Sequence, residues 1–265
     1  MATKIKTVSI SNLEMDYFTF GSGEKKFIIL PGLSIHSVMN AADAIAEAYQ
    51  IFASDYTVYV FDRVKNIHIG YTIKDMAEDT AAAMNALHIE SADLFGASQG
   101  GMIGQYLAID HPELVHKLIL GSTLAKPNDV FLSTVAEWCQ LAEEKNELKL
   151  LEHFANCVYS ESTLNAYRDI IISTNRGISD HEFKRFLIMT EACKTFDCYD
   201  ALSSIQCPVL VLGSDGDRVV TSEGSKQIAK TLGCALYLYD SSYGHGVYDE
   251  APDYKQRCLE FLEND

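Results

Sequence analysis

Five short apolar runs, Phe27-Ile28-Ile29-Leu30, Val58-Tyr59-Val60-Phe61, Ala92-Asp93-Leu94-Phe95, Leu118-Ile119-Leu120 and Val209-Leu210-Val211-Leu212-Gly213, are separated by stretches in which apolar residues recur every three or four positions. Strands this apolar must be covered on both faces, the condition met by a parallel sheet with helices on either side. The first 120 residues read as strands at 4–10, 15–20, 27–30, 57–61, 92–95 and 117–120, with helices at 41–52, 73–87 and 101–110. From 126 to 204 no strand pattern is present, and helical spacing takes over: Phe131, Val135, Trp138 and Ala142 share one face, and Phe183, Phe186, Leu187 and Thr190 another. Strands return at 209–213 and 235–239, with helices at 223–232 and 252–262. The predicted architecture is an α/β fold with a mostly parallel central sheet and helices on both faces. Its core comes from residues 1–124 and 205–265, and a helical insertion at 125–204 has no Gly/Ser-rich linker at either end.

Within Leu94-Phe95-Gly96-Ala97-Ser98-Gln99-Gly100-Gly101-Met102-Ile103-Gly104, the segment Gly96 to Gly100 fits the pattern G-x-S-x-G, between a predicted strand and a predicted helix. A serine on a sharp strand-to-helix turn adopts a strained backbone, and Gly96 and Gly100 would relieve the clashes that side chains two residues to either side would cause. Gly101 and Gly104 would let the helix approach the sheet. A serine hydroxyl is a weak nucleophile without a base to take its proton. Of eight histidines, His245 is the candidate, because it follows the strand at 235–239 and lies between Gly244 and Gly246 in a loop. His36 and His68 sit in loops that could border a pocket, and the bland reading of each is a solvated loop histidine. An imidazole base needs a carboxylate to fix its tautomer. The loop after the strand at 209–213 offers Asp215 and Asp217. Asp217 is preferred, since Val219-Val220 and a helix cap at Thr221 or Ser222 would fix its place, while Asp215 suits an Asx-turn.

These residues, in the chain order Ser98, Asp217, His245, resemble the α/β-hydrolase fold family over nearly the whole chain. The resemblance implies that the backbone N–H groups of Leu33, in the loop Pro31-Gly32-Leu33, and of Gln99 bind the oxyanion. It matches Gly244, His245, Glu250 and Pro252 to a family pattern after the last strand, and makes residues 125–204 the family's cap. One departure stands out: Phe61-Asp62-Arg63-Val64-Lys65-Asn66-Ile67 lacks the glycines that many relatives carry there, which predicts an altered loop beside the pocket.

Other chemistries lack their residues. No phosphate-binding G-x-x-x-x-G-K-[ST] is present, Ser98 occupies a place where a dinucleotide-binding G-x-G-x-x-G needs glycine, and no His/Cys group has metal-ligand spacing, so no cofactor is expected. A net charge of −16 argues against a nucleic-acid partner. Seven scattered cysteines without a C-x-x-C pair, no secretory signal and no long apolar segment point to a cytoplasmic protein with free thiols and no membrane span. The expected activity is that of a serine hydrolase, foremost a carboxylesterase acting on small to medium acyl esters. Carbon–carbon or amide hydrolysis, or cofactor-free perhydrolysis, would use the same three residues, and a ligand receptor or scaffold of the same fold is the reading from another class. Phe131, Trp138, Phe154, Tyr159 and Met189 are candidates for an apolar acyl pocket, with the insertion's own core as their plainer role.

Overall fold

The computed structural model describes residues 2–11 and 13–264. An eight-stranded sheet runs in the order β1-β2-β4-β3-β5-β6-β7-β8. Strands β1 (Lys6–Ile10) and β2 (Leu13–Phe20) form an antiparallel pair, and β2 also lies antiparallel to β4 (Tyr56–Val64). From β4 onward neighbouring strands are parallel: β3 (Lys25–Leu30), β5 (Ala92–Ala97), β6 (Val115–Gly121), β7 (Val209–Ser214) and β8 (Ala235–Tyr239).

The connections are helical: α1 (Ala42–Ala48), α2 (Ile73–Ala86), α3 (Gln99–Asp110) and α8 (Thr221–Leu232) cross between parallel strands, and α9 (Val247–Glu250) and α10 (Tyr254–Glu263) close the fold. Between β6 and β7 the chain makes its excursion through α4 (Asp129–Glu143), α5 (Glu147–Val158), α6 (Glu161–Thr174) and α7 (Asp180–Lys194). Alternation along the strands splits the core in two. Ile28, Leu30, Leu94, Leu118, Leu120 and Val211 join α2, α3, α8 and the excursion on one side, whereas Phe27, Ile29, Phe95, Ile119, Leu210 and Leu212 pack with α1 and α10 on the other. This two-sided burial is why the runs look continuously apolar in sequence.

Helix starts follow local chemistry. α2 begins with a capping box in which the Thr72 hydroxyl accepts from Asp75 N–H and the Asp75 carboxylate accepts from Thr72 N–H. α3 begins two residues earlier than its apolar pattern suggests, with Ser98 at its N-cap at φ 52° and ψ −116° and its hydroxyl capping nothing. Neither Thr221 nor Ser222 caps α8. α8 has no side-chain cap, and the Asp217 carboxylate accepts from Val219 N–H at 2.8 Å and Val220 N–H at 2.9 Å in the turn that precedes it.

The turn around Ser98 is held by close backbone contact. A Cβ on Gly100 would lie 1.9 Å from the Leu30 carbonyl oxygen, and one on Gly96 would lie 2.4 Å from the Gly100 carbonyl oxygen. Both obstructing atoms are backbone, so a side chain at either position must displace β3 or α3. Gly100→Ala is therefore expected to destabilise the protein by about 1–3 kcal/mol, read as a lower urea midpoint at unchanged slope. An unaltered midpoint would contradict this account of the packing.

Candidate active site

Ser98 leaves β5 at the C-terminal edge of the sheet and is tied on both sides: its N–H donates to Gly121 O at 2.8 Å, and its carbonyl accepts from the Thr123 hydroxyl at 2.8 Å. A non-glycine residue at positive φ is uncommon and costs of order 1–3 kcal/mol, so neighbouring strands must hold it there. The N–H of Gln99 is the first of α3, one of the groups a helix cannot satisfy internally, at the positive end of the helix dipole. The Gln99 side chain is held elsewhere, accepting from Arg63 and donating to Met189 O at 3.0 Å and Cys193 Sγ at 3.1 Å.

His245 and Asp217, from the loops after β8 and β7, meet in a hydrogen bond of 2.8 Å between Nδ1 and Oδ2, and both are almost wholly buried. The other Asp217 oxygen takes the two amide donors of Val219 and Val220, so the carboxylate is fixed in place. Asp215 is exposed and lies 3.6 Å from Lys226 Nζ. It also forms no Asx-turn: the Ser214 hydroxyl accepts from Gly216 N–H in its stead.

Ser98 and His245 line one cavity of about 450 Å³, whose wall also includes Gly32 and Leu33 of the loop after β3. Trp138, Leu151, Phe154, Val158, Tyr159 and Ile171 give it an apolar side formed by α4, α5 and α6 and the end of α5. Of the five residues proposed for an acyl pocket, Phe131 and Met189 are outside this wall, buried in the packing of the helical excursion. His68 is also outside it, while His36 belongs to it.

The loop after β8 is braced against the excursion. Glu250 accepts from Gly244 N–H and from Ser160 N–H, each at 2.7 Å, and Gly246 N–H donates to Val158 O at 2.8 Å. His36 makes a second brace, from the loop after β3 to the helical excursion. Its Nδ1 lies 2.6 Å from Glu182 Oε1 and its Nε2 2.9 Å from Asn175 O, so each ring nitrogen faces an acceptor, the arrangement that favours the imidazolium with both N–H groups donating. Burial alone would lower the His36 pKa, but its hydrogen bonds to Glu182 and to the Asn175 carbonyl prevail and raise it above 6.5. Burial likewise works against the Glu182 carboxylate, yet hydrogen bonds from Ser179 and His36 pull its pKa down to about 2.

A buried charge network, unforeseen in the sequence, supports the same region. The stretch 61–67 is expected from its sequence to form an altered loop beside the pocket, but strand β4 runs on to Val64, so Asp62 and Arg63 lie in the strand and border a small void. Asp62 accepts from Arg185 Nη2 of α7 at 2.6 Å and from the Ser37 hydroxyl at 2.6 Å. Arg63 Nη2 donates to Pro31 O at 2.6 Å, which fixes the loop carrying Gly32 and Leu33. Burial lowers the Arg63 pKa to about 10, with Asp62 opposing the shift. The sequence signal was the charged pair Asp62-Arg63 continuing directly from a buried apolar run.

The thiols are poor nucleophiles here: burial pushes Cys139, Cys193 and Cys198 up to about 12. All seven cysteines are free. Among the described residues no three His, Cys, Asp or Glu side chains gather as a metal site requires, and no helix is long and apolar enough to cross a membrane.

Two outcomes follow. The His36–Glu182 contribution to stability requires pH above about 4.5 to ionise Glu182 in the unfolded chain and is fully present below about 6.5. It fades as pH rises through the raised value of His36, so the thermal midpoint difference between wild type and Glu182→Gln should shrink as pH is raised above about 6.5; a constant difference would contradict it. Arg185→Met should cost about 3–5 kcal/mol in urea denaturation because Asp62 is left buried without its partner, and Asp62→Asn added to it should recover part of that loss; a cost below about 1 kcal/mol would show that the pair is not buried as described.

The family described as alpha/beta hydrolase fold matches residues 27–252. The chain is 23% identical over 223 residues to 3-oxoadipate enol-lactonase 2 of Acinetobacter baylyi, covering 81% of this chain and 80% of that one. It is 24% identical over 231 residues to a putative carbamate hydrolase RutD of a Caulobacter species, covering 83% and 85%. Among solved structures, MGS-M2, an alpha/beta hydrolase enzyme from a Medee basin deep-sea metagenome library, superposes with a TM-score of 0.88 at 19% identity over 98% of both chains. The strand order, the turn at Ser98 and the match over residues 27–252 agree, and the chain belongs to the alpha/beta hydrolase fold family.

Proposed function

We propose that this hydrolase is a serine hydrolase acting through an acyl-enzyme on Ser98, and that its substrates are carboxylic esters with a small to medium acyl group. The observation that carries this reading is the buried 2.8 Å hydrogen bond between His245 Nδ1 and Asp217 Oδ2, with His245 and Ser98 on one cavity wall. Asp217, held by two amides, keeps Nδ1 protonated and leaves Nε2 as the base. Ser98 Oγ attacks the substrate carbonyl while Nε2 takes its proton. The carbonyl oxygen becomes an oxyanion received by the N–H groups of Leu33 and Gln99, a pair of fixed donors of the kind worth about 10²–10³ in rate each. The imidazolium then gives its proton to the leaving group, and water repeats the sequence to release the acid.

Residues 125–204 serve in this reading as a cap over the acyl portion, supported by the apolar wall from Trp138, Leu151 and Phe154. Ester cleavage is favoured by the similarity to an enol-lactonase, and the similarity to a carbamate hydrolase supports a second reading, cleavage at a carbonyl bonded to nitrogen, on the same three residues.

Fluorophosphonate should label Ser98, and Ser98→Ala should abolish both labelling and turnover of nitrophenyl esters. Equal turnover by Ser98→Ala would refute the proposal. Asp217→Asn should lower kcat by about 10⁴, since the amide favours the wrong imidazole tautomer, while Asp215→Asn should stay within about twofold; the reverse ranking would move the acid to Asp215.

A further inference from the structure

Three consecutive residues of α9 divide sharply in what they do. Glu250 is fully engaged, its carboxylate accepting two amides at 2.7 Å each. Tyr248 and Asp249 both line the cavity that holds Ser98 and His245, and Tyr248 Oη lies near Gly32 of the loop after β3. The Asp249 carboxylate has no hydrogen-bond or ion-pair partner among the described residues. Asp249 is exposed, and it lines that cavity. Partial loss of solvation beside the surrounding protein raises its pKa, with Lys255 pulling the other way. Lys255 is itself committed: its Nζ donates to Tyr248 O and lies 5.3 Å from the centre of the Tyr49 ring.

The rest of the wall supplies no unpaired countercharge. It contains no lysine or arginine, and Asp249 is its single carboxylate. Of its two histidines, His245 is paired with Asp217 and His36 with Glu182. A carboxylate on the cavity wall that is free of protein partners has its oxygens available to a donor or a positive charge on a ligand. A second negative charge brought to the same cavity would meet repulsion and no unpaired cation.

We propose that Asp249 is the specificity determinant of this cavity: its carboxylate receives a protonated amine carried by the substrate and excludes substrates that carry a carboxylate. This rests on the reading of Ser98 as nucleophile for its catalytic consequence. With Trp138, Leu151 and Phe154 on the same wall, the cavity thus takes an amphipathic substrate that has an apolar part and a cationic part.

The test uses three nitrophenyl esters of equal chain length whose acyl ends carry an ammonium, a hydroxyl or a carboxylate, assayed at about 0.15 M salt to screen the long-range pull of the net charge of −16. Wild type should show kcat/KM falling in that order, by at least about tenfold per step. Asp249→Asn should compress both ratios to within about threefold, and Asp249→Glu should keep the order. Ratios within one protein are insensitive to any loss of folded enzyme. Calorimetric binding of hexylammonium and hexanoate to Ser98→Ala reads the same preference without turnover, so it decides the matter even if Ser98 proves not to be the nucleophile. Hexanoate bound as tightly as hexylammonium, or ratios unmoved by Asp249→Asn, would overturn the proposal.

Discussion

Everything at the site hangs on one backbone conformation, Ser98 at φ 52° and ψ −116°. An isolated residue would leave that state at once, at a gain of order 1–3 kcal/mol. It persists because β3, β5, β6 and α3 press on the turn together: Gly121 and Thr123 hold the two sides of the Ser98 peptide, and Gly100 rides against the Leu30 carbonyl with no room for a methyl group. The sheet therefore does more than carry the turn. Its two-sided core supplies the stability that the strained conformation draws on, and the strain leaves the Ser98 hydroxyl free of the capping role a serine at that position usually takes.

Around this point the protein uses carboxylates as fasteners. Asp217 fixes His245 and the start of α8, Glu250 joins the loop after β8 to residue 160, Glu182 holds His36, and Asp62 joins β4 to α7. Each is satisfied by several donors, which is what makes burying a negative charge tolerable. The apolar contacts between the helical excursion and the sheet are non-directional, and these ionic contacts fix where the excursion sits over the cavity. Asp249 differs from these four: it is exposed, has no protein donor among the described residues, and is the one carboxylate on the wall of the cavity that holds Ser98.

The sheet and the turn were legible in sequence because each rests on a local signal. FIIL and VLVL are apolar on both faces, and G-x-S-x-G places two glycines where backbones touch. His245 and Asp217 were legible from their flanking residues and the order of the chain, and the structure brings them within hydrogen-bonding distance. Contacts between distant segments were not legible. Nothing near Asp62 or Arg63 announces Arg185, 123 positions away, so a strand end with buried charges looked like a loop. The missing side-chain cap of α8 was not legible either, since the Asp217 carboxylate binds the amides of Val219 and Val220 just ahead of the helix. Trp138 and Phe154 could not be separated from Phe131 and Met189, because helical periodicity marks a buried face without saying whether it packs on protein or lines a cavity.

The central claim is covalent: the acyl group of the substrate passes through Ser98. Rapid-quench mass spectrometry during turnover of nitrophenyl acetate addresses it directly. The account predicts a transient gain of one acetyl group on the peptide containing Ser98, formed as fast as nitrophenol is released in the burst and lost at the steady-state rate. Steady turnover with no acetyl on that peptide, or acetyl found on another residue that decays at the catalytic rate, would contradict it.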